Sequence, residues 1–230
     1  MTRILVLNPV STPIWNDLTE KYLKSRACES TKVVVKNLID GPESIEAEAD
    51  VIEAAPHVVR GVLEAEEDGF DAVMINCFDD PGLHAAREKA SILVLGVGET
   101  SIIAALHLGY RFAIISTGEK SRAAYDLKAL RLGVRERLAY SSGIPLRVLD
   151  LRINEERTKR ALLNEARKAV EKHYADVIVL GCSGMIGLAE WLSEELEVPV
   201  IDPAITTFKI AEGFSQLGLR HGKKNLYYSD

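Results

Sequence analysis

The chain has 230 residues, enough for one large domain or two small ones with a sizeable core. Its 47% hydrophobic and 27% charged residues are ordinary for a soluble globular protein, and a net charge of −6 with no Lys/Arg-rich run argues against nucleic acid as partner. No apolar run approaches the ~20 residues of a membrane span, and the opening MTRILVLNPV is too short in its apolar part for a signal peptide.

Taken in order, Arg3 to Leu7 reads as a first strand, closed by Asn8-Pro9. A helix is predicted over 13–25, with Ile14, Leu18 and Tyr22 at four-residue spacing. A Val-rich strand follows at 32–39, then a Gly41-Pro42 turn, a polar loop, and a helix up to Glu67. The run at 71–76 is a third strand; helix 82–89, strand 91–97 and a helix to about 109 come next. The second half repeats the series with a strand at 110–116, a helix at 120–132, a strand at 146–151 and a helix at 155–173. A strand at 176–180, a helix at 186–195, a strand at 198–201 and a helix at 204–217 complete it.

Strands of continuous apolar residues alternating with helices predict parallel sheets covered on both faces. Asp71 and Asp176 are 105 positions apart, and so are Cys77 and Cys182; LVLGVG at 93–98 falls on VPVIDP at 198–203 with the same offset. The fold class expected is therefore α/β, with two pseudo-symmetric Rossmann-like halves. Each half is a mostly parallel four-stranded sheet flanked by helices. Residues 1–98 with about 206–230 form the first half and 99–205 the second. Ligands of open α/β sheets bind beyond the carboxyl ends of the strands, so two facing halves would enclose the active site between them.

Cys77 and Cys182 are the candidate reactive groups. A lone cysteine is more often an inert packing residue. Two that follow equivalent strands in a repeated unit, each ahead of residues that read as a helix start, are a different matter, because a helix N-terminus favours the thiolate. Asp79 and Asp80 follow Cys77, whereas Ser183, Gly184 and Met185 follow Cys182, so Cys182 is expected to be the readier thiolate and Cys77 the readier thiol. Asp80 with Pro81 could also cap a helix. Cys28 has no counterpart in the second half and is assigned no role. Three cysteines make neither a disulfide framework nor a C-x-x-C pair, which points to reduced thiols in the cytoplasm. His57, His84, His107, His173 and His221 show no metal-ligand spacing, so no metal is expected. Gly96-x-Gly98 lacks the third glycine of a dinucleotide fingerprint, and GCSGM at 181–185 lacks the last glycine of a nucleophile elbow.

These motifs resemble the hydantoin racemase and allantoin racemase family of the aspartate/glutamate racemase superfamily, over essentially the whole chain. CFDDPGLHAARE at 77–88 is the most specific piece, supported by GCSGM at 181–185 and LNP at 7–9. The resemblance implies a cofactor-independent racemase that inverts C5 of a 5-substituted hydantoin or allantoin, with Cys77 and Cys182 as the catalytic pair. It implies a small-molecule substrate and a homo-oligomer; that no membrane partner is expected follows from the absence of a long apolar run. Substrate contacts are expected from Asn8, Phe78, Thr117, Ser183 and Gly184. Amino-acid racemases of the superfamily usually carry Asn-Thr after the first cysteine, where this chain has Phe78-Asp79; an apolar Phe78 suits a flat neutral ring better than a zwitterion. Asn8-Pro9-Val10 departs from the Asn-Pro-Asn common in the family, and Ser183 stands where Ala is common. An amino-acid racemase or maleate-type isomerase with the same two cysteines is the alternative within the superfamily, and a small-molecule binding protein the alternative outside it.

Overall fold

The computed structural model describes residues 1–228. The chain divides into two compact units, the first made of residues 1–97 and the described residues from 204 onward, the second of residues 98–203. In the first unit β1 (Thr2–Asn8), α1 (Asn16–Lys24), β2 (Thr31–Asn37), α2 (Glu48–Glu67), β3 (Ala72–Ile75), α3 (Leu83–Lys89) and β4 (Leu93–Gly96) follow one another. The second holds α4 (Val97–Leu108), β5 (Phe112–Thr117), α5 (Ser121–Arg131), β6 (Leu138–Ile144), α6 (Glu155–His173), β7 (Val177–Leu180), α7 (Ala189–Leu196) and β8 (Val200–Ile201). The chain re-enters the first unit along α8 (Pro203–Gln216).

Both sheets are parallel throughout and have the same order, β2-β1-β3-β4 and β6-β5-β7-β8. The interior strands explain their sequences. β3 (AVMI) and β7 (VIVL) are buried along their full length, as strands between two helical layers must be. Each Val, Met, Ile or Leu side chain among them contributes roughly 1.5–3 kcal/mol by leaving water. Helix α6 buries Thr158, Leu162, Ala166 and Ala169, one stripe at helical spacing, and Asn154 caps it by accepting the N–H of Arg157 at 2.9 Å.

The repeated aspartates have a structural reason. Asp71 Oδ2 accepts the backbone N–H of Arg3 at 2.8 Å, and Asp176 Oδ2 accepts that of Arg111 at 2.7 Å. Each carboxylate thus satisfies an N–H at the start of its unit's first strand, which the sheet ladder would leave unmade.

The strand expected at 146–151 is instead β6, eight residues earlier in its start. Its sequence, LAYSSGI, is too rich in small polar residues to read as a strand. Pro145 ends it, the N–H of Leu146 folds back onto the carbonyl of Ile144 at 2.8 Å, and Val148–Asp150 forms a 3-10 turn. Gly143 is required there: a Cβ on it would lie 1.8 Å from the carbonyl oxygen of Gly118.

The described residues after α8 run along the outer edge of β4. Val94 N–H, directed away from β3, is donated to His221 Nε2 at 2.8 Å, and Val94 O accepts from Arg87 Nε at 3.0 Å. Lys223 Nζ donates to the carbonyls of Arg87 and Glu88, and Tyr227 Oη lies 3.0 Å from His84 Nδ1. An edge that could template another strand is closed by side chains. Because a backbone N–H can only donate, His221 must be neutral at Nε2. Burial, with help from the neighbouring Arg87 charge, holds its pKa down at about 4.

A folded pKa below the unfolded one means that His221 supports the fold fully above the unfolded value, and that this support is lost as pH falls towards the folded value. In urea titrations between pH about 7.5 and pH about 4.5, the wild type should therefore lose more stability than His221→Gln, which keeps an acceptor but cannot be protonated. Equal losses in the two proteins would show that His221 does not carry this dependence.

Candidate active site

The third strand of each unit delivers a cysteine at the carboxyl edge of its sheet. Asn76 follows β3 and donates its backbone N–H to Leu7 O at 2.9 Å; Gly181 follows β7 and donates to Ile115 O at 2.8 Å. The next residues are Cys77 and Cys182, both half-buried thiols. After each the chain turns in the same way, with Cys77 O accepting from Asp80 N and Cys182 O from Met185 N, both at 3.0 Å. The sequence repeat at the thiols is therefore a repeat of backbone geometry.

These turns lie between the cysteines and the helices expected at 82–89 and 186–195. Helix α3 begins at Leu83 with Gly82 as its cap, and Cys182 leads into a 3-10 turn, Ser183–Met185, with α7 starting only at Ala189. Asp80 sits inside the first turn in the left-handed region, at φ 55°, uncommon for a residue other than glycine though better tolerated by Asp than by most. It is therefore not a helix cap. Its carboxylate packs over the end of β4, where a Cβ on Gly96 would lie 2.4 Å from Asp80 Oδ1.

The expected contact residues fall at these same edges. Asn8 closes β1 and is buried, its Oδ1 accepting from Asn76 Nδ2 at 2.7 Å and its Nδ2 donating to Asn16 Oδ1 at 2.8 Å. Phe78 is only 2% exposed. In the second unit Thr117 closes β5 and its carbonyl accepts the Ser121 hydroxyl. Ser183 and Gly184 form the turn after Cys182, where Gly184 O accepts from Arg152 Nε at 3.2 Å. Asp202, just past β8, accepts the N–H of Gly187 at 2.8 Å and so holds the far end of that loop.

Residues outside the sequence motifs also meet here. Asn16 Nδ2 donates to Asn37 Oδ1 at 3.0 Å, extending the chain of amides from Asn76 and Asn8. A signal for it was present: each of the first three strands ends at an asparagine, in LVLN, VVKN and MIN. In the second unit Gly181 O accepts from both Ser116 Oγ at 2.6 Å and Tyr125 Oη at 3.1 Å. Nothing in the sequence marks Tyr125, a mid-helix residue.

Cys28 lies elsewhere, in the segment between α1 and β2. Its N–H and Sγ meet Glu212 of α8 at 2.9 and 3.3 Å. Burial raises the Glu212 pKa, but Lys209 and the Cys28 contacts outweigh it and hold the carboxyl at about 2. Among the described residues no group of three or more His, Cys, Asp or Glu could hold a metal, and no helix is long and apolar enough to cross a membrane. The cleft lined by Lys36, Asn37, His57 and Arg60 contains neither of the paired thiols.

Comparison with known proteins gives consistent relatives. The family model described as Asp/Glu/Hydantoin racemase matches residues 4–211. A hydantoin racemase from Pseudomonas sp. (strain NS671) is 35% identical over 225 residues, covering 98% of this chain and 90% of the relative. Among solved structures, allantoin racemase from Klebsiella pneumoniae superposes with a TM-score of 0.95 at 29% identity, covering 100% of this chain and 94% of that one. Allantoin racemase from Pseudomonas fluorescens gives the same TM-score at 27% identity, with coverage of 100% and 97%.

The fit of Asp80 over Gly96 can be probed directly. Gly96→Ala should cost about 1–3 kcal/mol in urea unfolding, as overpacking of a filled site does. It should also change the iodoacetamide rate at Cys77 more than at Cys182, measured by peptide mapping. Unchanged stability would mean that the carboxylate is not confined there.

Proposed function

The chain belongs to the Asp/Glu/hydantoin racemase family and is an isomerase, and we propose that it inverts the C5 centre of 5-substituted hydantoins, or of allantoin, by proton transfer at Cys77 and Cys182. The observation that carries this reading is the duplicated thiol, following the third strand of each sheet and entering the same turn. Inversion needs a proton to leave one face of a carbon and another to arrive on the opposite face, so it needs two groups that can exchange roles. One thiolate takes the C5 proton, the other thiol supplies one, and the enantiomer is processed in the reverse sense. No electron is transferred and no atom is lost, so the chemistry calls for no cofactor.

The carbanion at C5 is delocalised into the neighbouring ring carbonyl, whose oxygen gathers charge and requires hydrogen-bond donors. Backbone N–H groups after Cys77 and Cys182, the Asn8 amide and Thr117 are the donors in this reading, with Phe78, Ser183 and Gly184 completing the surroundings of the ring. The acids following Cys77 oppose a second negative charge, so Cys182 is the resting thiolate and Cys77 the resting thiol.

Two measurements test the reading. Optical rotation is followed for L-5-benzylhydantoin, allantoin, aspartate and glutamate separately, with chelator present and no cofactor added. Rotation should decay for a hydantoin or for allantoin, and Cys77→Ser or Cys182→Ser should slow that decay by about 10²–10⁴ without unfolding the protein. Wild-type turnover in either variant would end the two-thiol mechanism, and decay confined to the amino acids would move the substrate class. For the resting state, thiolate absorbance is titrated in the two serine variants, each also carrying Cys28→Ser; Cys182, then the one thiol left beside Cys77→Ser, should ionise at the lower pH, and the opposite order would reverse the assignment.

A further inference from the structure

We propose that Asn16 and Tyr125 are positioning residues for the two thiols, Asn16 for Cys77 and Tyr125 for Cys182, each acting through the residue that precedes its cysteine. The inference rests on the reading of both cysteines as proton-transfer groups. Neither Asn16 nor Tyr125 belongs to the motifs on which that reading stands.

In the first unit four asparagine side chains form one directional chain. Asn76 donates to Asn8, Asn8 to Asn16 and Asn16 to Asn37, at 2.7, 2.8 and 3.0 Å. Asn37 Nδ2 then donates to two backbone carbonyls, Leu38 O at 2.7 Å and Ser11 O at 2.9 Å. Those carbonyls can only accept. They force Asn37 to present its NH₂ to them and its oxygen to Asn16, and the same choice passes along to every amide in turn. The orientation of Asn76, next to Cys77, is thus dictated from the far end of the chain, and its Oδ1 becomes the acceptor terminus. Aligned amides polarise one another, so the links reinforce rather than compete. Asn16 is the link that joins the buried pair Asn8 and Asn76 to the group that sets the direction. It is also the only one of the four that does not stand at the end of a strand.

In the second unit the same place is held by different chemistry. Ser116 is the counterpart of Asn8: each immediately follows the residue, Ile115 or Leu7, whose carbonyl takes the N–H of the residue before the thiol. Ser116 Oγ and Tyr125 Oη both approach Gly181 O and lie 3.2 Å from each other. Ser116 and Tyr125 are 1% and 5% exposed, so water does not compete for that carbonyl. Gly181 has to be glycine for this, since a Cβ there would sit 2.6 Å from Ser116 Cβ. Two donors on the peptide oxygen leading into Cys182 fix the plane of that peptide, and with it the direction of the Sγ.

The test is crossed selectivity. Iodoacetamide rates at Cys77 and Cys182 are measured by peptide mapping in Asn16→Leu, Asn16→Asp and Tyr125→Phe, with urea stability and racemisation followed in parallel. Asn16→Leu should shift the Cys77 rate by about three- to tenfold, the worth of one hydrogen bond, and leave Cys182 within about twofold; Tyr125→Phe should do the reverse. Asn16→Asp, which still accepts from Asn8 but has lost the donor to Asn37 Oδ1, should recover the wild-type Cys77 rate only in part. In turnover, kcat should fall with KM nearly constant. Should Asn16→Leu fail to fold, Asn37→Ala, which removes both the acceptor offered to Asn16 and the donors that fix its orientation, should affect Cys77 alone. Equal shifts at both thiols, or no shift at either, would overturn the proposal. Alkylation needs no substrate: crossed rates without racemisation of any hydantoin would leave the positioning intact and reject the racemase reading, and uncrossed rates beside inactive serine variants would do the opposite.

Discussion

One backbone hydrogen bond in each unit fixes where its cysteine emerges. The N–H of the residue just past the third strand is given to a carbonyl of the first strand, Asn76 to Leu7 and Gly181 to Ile115. Parallel pairing makes the bond possible and sets its height, so the next residue must emerge at the carboxyl edge of the sheet. The paired thiols are there because the ladder ends one residue before each of them. The turn after each thiol is shared too, closed on the cysteine carbonyl, and only beyond it do the units diverge.

The divergence is in how polar groups are satisfied. The first unit answers the amides at its strand ends with other amides, and the second answers a peptide oxygen with two hydroxyls. Leaving either set unmatched would cost about 1–3 kcal/mol per buried group. Both units also leave out side-chain atoms near their thiols, Gly96 beneath Asp80 in the first and Gly181 beneath Ser116 in the second. A left-handed aspartate and a crowded glycine are local costs that the surrounding strands offset, and both lie within three residues of a thiol.

Much of this was legible in the chain before its fold. Continuous apolar runs gave β3 and β7, and the helical stripe of α6 was placed at both of its ends. The 105-residue offset disclosed the paired cysteines, because a duplicated unit repeats its register along with its residues. Strand β6 was not legible, since LAYSSGI takes its stability from burial of Leu138, Ser141 and Ile144 in its own sheet, while the apolar residues after Pro145 mimic a strand they do not form. Helix α3 was placed to within one residue, but Asp80 with Pro81 looks like its cap, and nothing local announces a left-handed aspartate ahead of a Gly82 cap. Tyr125 was out of reach for a similar reason: its partner, Gly181, lies 56 positions away.

The way β4 is closed bears on the order in which the protein can be made. Val94 finds its partner in His221, 127 positions later, and the whole second unit is encoded between them. During synthesis residues 98–203 leave the ribosome as one uninterrupted block. The first unit, begun earlier, is finished later. Until α8 and the residues after it arrive, its outer strand stands with an open edge, the kind of surface on which nascent chains meet one another. The unit entered first along the chain is the one that depends on its later residues.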